Sequence, residues 1–365
     1  MWDELKKASK PIVLYGTGDA AEKILKELDA RSIRVSGIFA SEGFVRDREF
    51  AGFKVTDYET AKRSFGDMIV LLCFGSHRPE VMENMQRISR EQDLYAPDLP
   101  IAGEQFFDRA FYEQHRDRLN AVRDRLADRQ SRLVFDKVIE YKLSGRIDPL
   151  VECSTPEDDN WRLFLNSGNG LSVPDLNSGD GHSALQAPAD GGALFADLGA
   201  YTGDTVDMFR KIRGNAADTI VAFEPEPRNF RKLSENLAGL ENTELINAAA
   251  WDSDGEAVFG KGRGRGTHEV VSKGVSTPLR SVDSVLSGRR ADFIKMDIEG
   301  AEHRAILGAA QTIKDHKSAL LIAAYHRAED LFDIPETVLS IRPDYRLYLR
   351  KDPAIPAWGV NYIFV

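Results

Sequence analysis

Residues 193–213 read ALFADLGAYTGDTVDMFRKIR, in which an apolar run, a glycine turn and an amphipathic stretch follow one another. The pattern predicts a β-strand that ends at Asp197 and an α-helix that begins after Gly203. Gly199 and Gly203 permit a tight turn and let the backbone come close to a bound ligand. The carboxylates at this turn, Asp197 and Asp204, suit a cationic sulfonium or ammonium group better than a pyrophosphate. A glycine turn with a purely structural role is the alternative.

A second apolar run, Thr219–Phe223, is followed by Glu224, which stands 21 residues after Gly203. An acidic residue about 20 positions after such a turn, at the tip of the next strand, can accept hydrogen bonds from both ribose hydroxyls. The alternative is a surface glutamate ahead of a helix, because Pro225 and Pro227 mark a helix start. With both motifs in register, the sequence favours a nucleoside site.

A third strand, predicted over Thr243–Ala248, ends near Asn247 and is followed by small residues and Trp251. Asn247, Ala248 and Ala249 are placed to line an adenine pocket, against which Trp251 would pack. Trp251 as a plain core residue is an equally good interpretation.

Charged residues concentrate in the run 293–303, FIKMDIEGAEH, where the predicted strand Asp292–Asp297 ends and a helix begins. Ligands bind outside the carboxyl ends of strands in open α/β sheets, so this cluster faces the ligand edge. The run supplies four candidate reaction residues: Lys295, Asp297, Glu299 and Glu302. Glu302 is also explained as an acid in the first turn of a helix, where the helix dipole favours it.

His326 follows the predicted strand Ser318–Ala324 in the run AAYHRAED. It would lie beside Asp297 if the two strands are neighbours, and a neutral His326 is our first choice of general base, with Asp297 second. A structural histidine is the alternative. The carboxylates could instead collect a divalent cation such as Mg²⁺ or Ca²⁺, or hydrogen-bond a sugar. The sequence therefore leaves metal ligands undefined.

The same strand–turn–helix pattern occurs in the first half, where residues 11–28 read PIVLYGTGDAAEKILKEL. With further strands predicted at Arg34–Phe39 and Asp67–Phe74, it indicates a second parallel sheet. In the second half, five strands joined by helices precede a terminal pair at Tyr345–Leu349 and Val360–Val365. That element list is typical of the seven-stranded Rossmann-like sheet of class I methyltransferases. We therefore predict an α/β protein with a smaller Rossmann-like domain ahead of the larger one.

These patterns divide the chain into four segments. They are a Rossmann-like α/β domain (1–103), a helical connector (104–153), an irregular linker (154–192) and the larger domain (193–365). The connector is charged, and Leu119, Val122 and Leu126 form one apolar stripe, which predicts a helix packed on one side. A dimer or lid helix is the alternative, so the segment 104–143 is a candidate oligomer contact. The linker is rich in Pro, Gly, Ser and Asn and is expected to be irregular.

Composition limits the partners of the protein. The net charge of −10 argues against nucleic acid as the main partner, although it allows a small phosphorylated substrate. Cys73 lies in an apolar run and is expected to be a buried thiol, which indicates a reducing compartment. We expect a cytoplasmic enzyme without membrane contact, because the sequence offers neither a signal peptide nor a bilayer-spanning segment.

Several of these runs together resemble the FkbM-type methyltransferase family. They are DLGAYTGDT, AFEPEPRNF, INAAAWD and, above all, IKMDIEGAE followed by LGA, and AAYHRAEDLFDIP is similar to the carboxy-terminal region of that family. The resemblance covers roughly Ala193 to Val365. It implies a class I fold, S-adenosylmethionine as methyl donor and, usually, O-methylation of a sugar or polyketide hydroxyl.

The resemblance also divides the candidate residues between two roles. On the reaction side it places Asp297, Glu299, Glu302 and His326, with Lys295 beside them. The predicted cofactor contacts are Asp197, Gly199, Tyr201, Thr202, Gly203, Asp204, Thr205, Glu224, Pro225, Asn247, Ala248 and Ala249.

The first domain resembles small Rossmann-type domains attached to bacterial sugar-modifying enzymes. Its turn, Gly16-Thr-Gly18-Asp-Ala-Ala21, has alanine where a dinucleotide site has its third glycine, and the following acid would be Glu42, 24 residues beyond Gly18. This is weak evidence for a nicotinamide cofactor. A nucleotide-sugar site and a scaffold that has lost its ligand are equally good interpretations.

We therefore expect a two-domain enzyme that methylates a hydroxyl of a small-molecule or glycoconjugate acceptor, such as a nucleotide-sugar or a surface-polysaccharide precursor. One alternative is a nicotinamide-dependent nucleotide-sugar oxidoreductase that uses the first domain. Another is a non-catalytic nucleoside-binding protein.

Overall fold

The protein is seen in a computed structural model, which describes residues 1–41, 43–45, 49–166, 192–213, 217–260 and 274–365. No helix in these ranges is long and apolar enough to cross a lipid bilayer.

The first half forms an α/β sheet with helices on both faces. Its elements are α1 (Trp2–Lys7), β1 (Ile12–Tyr15), α2 (Asp19–Ala30), β2 (Gly37–Phe39), β3 (Glu49–Phe50), β4 (Phe53–Thr56), α3 (Tyr58–Phe65), β5 (Ile69–Leu72), α4 (Pro79–Glu91) and β6 (Asp93–Tyr95). The strand order is β3-β4-β2-β1-β5-β6, and only the short β3 runs antiparallel to its neighbour. The central strands β1 and β5 are apolar and buried at every position, as a parallel sheet covered on both faces requires.

Four helices connect the two halves: α5 (Arg109–Arg125), α6 (Arg129–Ser144), α7 (Asp148–Cys153) and α8 (Glu157–Asn166). The predicted apolar stripe, Leu119, Val122 and Leu126, is buried in the core of its own chain. The prediction of a helix packed on one side is confirmed. The stripe is therefore covered already, and association of copies through 104–143 stays a prediction.

The structure differs from the sequence-based expectation at the start of the irregular linker. Residues 157–166 form α8, whose first turn is acidic and whose Trp161 and Phe164 are buried. Acidic residues in the first turn favour a helix, and the three-residue spacing of the aromatic side chains places them on one face. The rest of the predicted linker up to Gly191 lies outside the described residues.

The second half contains the larger sheet. Its elements are β7 (Leu194–Leu198), α9 (Asp204–Arg213), β8 (Thr219–Phe223), α10 (Pro227–Asn236), β9 (Thr243–Ile246), β10 (Ala249–Ala250), β11 (Gly255–Phe259), β12 (Val275–Arg280), α11 (Val282–Leu286), β13 (Phe293–Met296), α12 (Glu302–Gly308), α13 (Ala310–His316), β14 (Ala319–Ala323), α14 (Asp330–Ile341), β15 (Leu347–Lys351) and β16 (Val360–Phe364). The strand order is β15-β16-β14-β13-β7-β8-β9, with β16 antiparallel to both neighbours and the other pairs parallel. The predicted seven-stranded Rossmann-like sheet is confirmed. A small sheet of order β10-β12-β11, which the sequence did not predict, stands beside it.

The outer edge of β15 is covered by the connector. The backbone N–H of Ala127 donates to the Leu347 carbonyl (2.8 Å), and that of Thr155 donates to the Lys351 carbonyl (2.9 Å). Between them, the N–H of Leu349 donates to Ser131 Oγ at 3.0 Å. Connector and larger sheet consequently share one core.

The two large sheets turn their carboxyl-terminal edges toward each other. The loop after β6 reaches the end of β14, where the N–H groups of Ile101 and Ala102 both donate to the His326 carbonyl (3.1 and 2.9 Å). The loop after β5 pairs with the β15–β16 loop through Ser76 and Ile355. Since ligands bind at these edges in α/β proteins, the first domain borders the ligand side of the larger sheet.

Candidate active site

The glycine turn after β7 is shaped by close backbone contacts. Gly199 has a φ of +86°, and a Cβ there would collide with the backbone carbonyl oxygen of Asp297. Gly203 has a φ of +99°, and its Cβ would lie 3.2 Å from Leu237 on α10. Both glycines are therefore required by the protein's own packing, in addition to any role in ligand binding.

Asp197 lies beneath this turn. It is fully buried, accepts a hydrogen bond from Thr205 Oγ1, and its Oδ1 is 3.3 Å from the Lys295 ammonium, which also donates to the Gly199 carbonyl at 3.2 Å. Burial raises the pKa of Asp197 despite the nearby Lys295 charge. Burial disfavours the Lys295 cation, but the Asp197 and Asp297 charges outweigh it and raise the Lys295 pKa. Lys295, expected on the reaction side, thus stabilises the turn from below.

Glu224 lies at the tip of β8 with its carboxylate fixed by backbone groups. Its Oε2 accepts from the Tyr201 N–H (3.0 Å) and its Oε1 from the Glu226 N–H (2.9 Å). Burial raises its pKa. Each oxygen keeps a further lone pair, so Glu224 can still accept the predicted hydrogen bonds from two ribose hydroxyls.

The remaining predicted cofactor residues surround Glu224. Asn247 donates to the Glu224 carbonyl at 2.8 Å and to the Pro225 carbonyl at 3.3 Å. Ala248 and Ala249 are buried. Trp251 packs edge-on against Phe259 at a centroid distance of 5.8 Å, which favours the interpretation of Trp251 as a core residue.

At the turn itself, Tyr201 has a φ of +47° and is 37% exposed, so its ring is available to a ligand. The Thr202 carbonyl accepts from Asn236 Nδ2 at 2.8 Å. Asp204 is exposed at the first position of α9. Direct cofactor contact by these residues stays a prediction.

The predicted reaction residues converge where β13 and β14 end. These strands are parallel neighbours, which places His326 beside Asp297 as expected. His326 is 1% exposed; its Nε2 lies 3.4 Å from Asp297 Oδ1 and 3.7 Å from Glu299 Oε2. On the other side of the ring, Nδ1 lies 3.0 Å from Oε1 of the buried Glu302. Glu302 thus contacts the histidine and is more than a favourable first-turn acid.

The charge state of His326 differs from the expectation. Burial alone would lower its pKa, but Glu302, Asp297 and Glu299 together raise it to about 10. These carboxylates favour the imidazolium form of His326, so the structure disfavours a neutral histidine base, and its role as the base stays a prediction. Asp297, the second choice, has a side chain that is 39% exposed and remains accessible to a substrate.

Two residues of this cluster were not predicted from the sequence. The Tyr325 hydroxyl donates to Asp297 at 3.0 Å and holds the carboxylate. Asp330 Oδ2 accepts from the N–H groups of His326 (2.9 Å) and Arg327 (2.8 Å), and burial raises its pKa to about 7. The available signals were the position of Tyr325 beside His326 after β14 and that of Asp330 at the start of the next helix, α14.

The glycine turn of the first domain lies apart from these clusters. Gly16 has a φ of +114°, and a Cβ there would lie 2.8 Å from Phe74, whereas the space around Gly18 is open. Glu42, the predicted acid of this turn, lies outside the described residues. A nucleotide ligand for this domain stays a prediction.

Comparison with known proteins identifies the larger domain. The family model for the methyltransferase FkbM domain matches residues 197–347. This stretch runs from the glycine turn through the acidic cluster to β15. The chain carries an FkbM methyltransferase domain.

The full architecture of the chain is similar to a solved structure. The crystal structure of methyltransferase FkbM from Methylobacillus flagellatus KT covers 100% of this chain and 92% of its own, with a TM-score of 0.70 at 19% identity. The likeness includes the first domain and the connector. At this identity it shows the fold alone.

Two further likenesses cover about half of the chain. An rRNA methylase from Streptococcus thermophilus covers 48% of this chain and 87% of its own (16% identity, TM-score 0.32). Fibrillarin from Aeropyrum pernix, with bound S-adenosyl-L-methionine, covers 48% of this chain and 66% of its own (13% identity, TM-score 0.31). No curated protein matches the chain.

The match over residues 197–347 indicates an S-adenosylmethionine-dependent methyltransferase domain. The glycine turn and Glu224 fit the donor, because they combine close backbone approach with a fixed acceptor for ribose. The roles of individual residues on both sides of the site stay predictions.

Proposed function

We propose that the FkbM domain transfers a methyl group to a hydroxyl of a sugar or glycoconjugate, such as a nucleotide-sugar or a surface-polysaccharide precursor. The observation that carries the proposal is the position of Asp297. Its carboxylate is partly exposed, is held by Tyr325, and lies at the end of β13, next to the glycine turn after β7. The choice of a sugar hydroxyl follows from the FkbM resemblance.

For this reaction the protein has to align the acceptor hydroxyl with the methyl donor and remove the proton of that hydroxyl. S-adenosylmethionine, when bound, supplies a methyl group already activated on a sulfonium. Asp297 can accept the hydrogen bond of an acceptor hydroxyl and then its proton, while Tyr325 keeps the carboxylate in one orientation. A positioned base contributes roughly 10²–10⁴-fold in rate, and alignment contributes further. The buried His326 lies between Asp297, Glu299 and Glu302 and fixes their relative positions.

The acceptor is proposed to lie between the two sheet edges. The loop after β6 and the β15–β16 loop border this region, so the first domain is positioned to select the acceptor and the larger domain to hold the donor. A small molecule or glycoconjugate suits this location and the acidic net charge. Both cysteines are buried free thiols, which supports a reducing compartment such as the cytoplasm.

The test uses the full chain with methyl-labelled donor and a panel of nucleotide-sugars and oligosaccharides, followed by mass spectrometry of the products. We expect an O-methylated sugar. Asp297→Asn should lower kcat by roughly 10²–10⁴-fold with little change in the Kd of the donor, because only proton transfer is affected. Asp333→Asn, which changes an exposed carboxylate on α14, is the matched control and should retain activity.

Two outcomes would contradict the proposal. Nicotinamide oxidation or reduction with the same panel, without methyl transfer, would favour the oxidoreductase. Donor binding with no product from any hydroxyl acceptor would favour a nucleoside-binding protein.

A further inference from the structure

The cluster at the ends of β13 and β14 has polar groups that the protein itself leaves unsatisfied. Glu302 Oε2 is buried and makes no hydrogen bond with the described residues, while His326 Nδ1 lies 3.0 Å from the other oxygen of the same carboxylate, Oε1. Buried polar atoms of this kind are costly and usually indicate a missing partner. Three carboxylates around one imidazole form an electrostatic environment that favours a further cation.

The two nitrogens of His326 face chemically different surroundings. Nδ1 faces Glu302, which is 1% exposed and is fixed by the Ile298 N–H at 2.9 Å. Nε2 faces Asp297 Oδ1 and Glu299 Oε2, whose side chains are 39% and 21% exposed. One imidazole cannot direct both nitrogens at the same ion. The open side is therefore Nε2, and Glu302 lies behind the ring.

We propose that His326 Nε2, Asp297 and Glu299 bind a divalent cation, with Glu302 orienting the imidazole from behind. A carboxylate that receives the second ring N–H of a metal-binding histidine is a recurrent arrangement, and it raises the basicity of the ligand. The distances from Nε2 to the two carboxylates, 3.4 and 3.7 Å, are close to the roughly 3 Å between adjacent ligands of an octahedral ion. One imidazole nitrogen and two carboxylates suit Mn²⁺ better than Mg²⁺, which prefers oxygen ligands alone, and the partial exposure leaves positions for an acceptor.

The catalytic role of this ion rests on the proposed function. A hydroxyl bound to the cation loses its proton more readily, and the proton passes to the second oxygen of Asp297 and then to water. The resulting oxygen forms the O–CH₃ bond as the S–CH₃ bond breaks, and the sulfur keeps the bonding electron pair. The ion and Asp297 thereby share the work of activating the acceptor.

The test measures Mn²⁺ binding to the full chain by electron paramagnetic resonance, independently of turnover. We expect one Mn²⁺ per chain with nitrogen coupling from the imidazole. Asp297→Asn and Glu299→Gln should each weaken binding at least tenfold, and His326→Gln should abolish the nitrogen signal. Glu302→Gln should weaken binding about 10–100-fold while the nitrogen signal remains, as expected of a positioning residue.

The chain offers a matched control in the exposed pair His303 and Asp333, 2.5 Å apart. His303→Gln and Asp333→Asn should leave Mn²⁺ binding unchanged. His326 is buried, and its substitution could prevent folding. If His326→Gln does not fold, the test relies on Glu299→Gln, because Glu299 is more exposed than His326. Mn²⁺ binding that is absent, or unaltered in Asp297→Asn and Glu299→Gln, would overturn the site.

Activity separates this proposal from the proposed function. Methyl transfer that survives complete removal of divalent cations by a chelator would overturn the catalytic role of the ion. Site-specific Mn²⁺ binding by a chain that methylates no hydroxyl would retain the metal site and contradict the proposed function.

Discussion

The backbone carbonyl of Asp297 occupies the position that a side chain on Gly199 would need. The glycine turn after β7 and the acidic cluster after β13 are therefore in direct van der Waals contact. Motifs that lie almost a hundred residues apart in the sequence form one site, because parallel neighbouring strands bring their carboxyl ends together. A substitution on one side of this contact should therefore displace residues on the other side.

Gly199→Ala should abolish donor binding, because the added Cβ must displace the β13 tip as well as adopt a left-handed backbone. Gly239→Ala is the matched control, since Gly239 has a similar φ of +88° with open space around it. The control should lose only about 1 kcal/mol of stability. Calorimetric titration with S-adenosylmethionine compares the two variants, and equal affinities would contradict the argument.

Glu224→Gln should weaken donor binding about 10–100-fold, the equivalent of one charge-assisted hydrogen bond. Both carboxylate oxygens accept hydrogen bonds from backbone N–H groups. The side-chain NH₂ of a glutamine would face one of these N–H groups and could not accept its hydrogen bond. Glu235→Gln, on the exposed side of α10, should bind like the wild type. Undiminished affinity of Glu224→Gln, measured by the same titration, would remove the ribose assignment.

Ala102→Val should impair acceptor use and spare donor binding. Ala102 is packed against Gly300 and donates its N–H to the His326 carbonyl, so a larger side chain would move the first-domain loop away from the cluster. We expect the KM of the acceptor to rise several-fold with an unchanged donor Kd. Ala30→Val, on the exposed end of α2, is the control. An unaltered acceptor KM in a folded Ala102→Val protein would indicate a scaffold role for the loop.

Lys351 should make the free energy of unfolding depend on pH. Its ammonium is buried and donates to the Ala354 carbonyl at 2.6 Å, and burial lowers its pKa from 10.5 to about 8. The unfolded chain therefore binds this proton more tightly, so stability rises with pH through about 8. Urea unfolding at pH 7 and 9 should show a gain of about 1 kcal/mol that is absent in Lys351→Met. The exposed substitution Lys6→Met should behave like the wild type, and parallel profiles for all three proteins would refute the assignment.

The sequence predicted the parts of the fold that repeat a strong local pattern. The buried parallel strands, the glycine turn and the acidic run at Asp297 were all placed at the correct edge. The small sheet of β10, β11 and β12 was missed because β10 has only two residues, while β11 and β12 are largely exposed and carry little hydrophobic signal. Helix α8 was missed because the segment that follows it is rich in turn-forming residues.

The sequence predicted which residues come together in the candidate site, but it did not predict their charge states or all of their contacts. Asp297, Glu299, Glu302 and His326 do come together, as the adjacency of two strands implies. The charge of His326 could not be predicted, because its pKa depends on three carboxylates that approach it only in the folded chain. Tyr325 was missed for a similar reason: a tyrosine beside a histidine gains a role only when the neighbouring strand supplies Asp297.

The contacts along β15 decide how copies of this protein could associate. The outward carbonyls of Leu347 and Lys351 already accept from Ala127 and Thr155, and the outward N–H of Leu349 donates to Ser131. An unprotected edge strand would offer these groups to another chain and invite sheet extension or aggregation. At the opposite margin, β9 has no second strand partner among the described residues. Any extension of the larger sheet from one molecule into the next would therefore have to begin at β9.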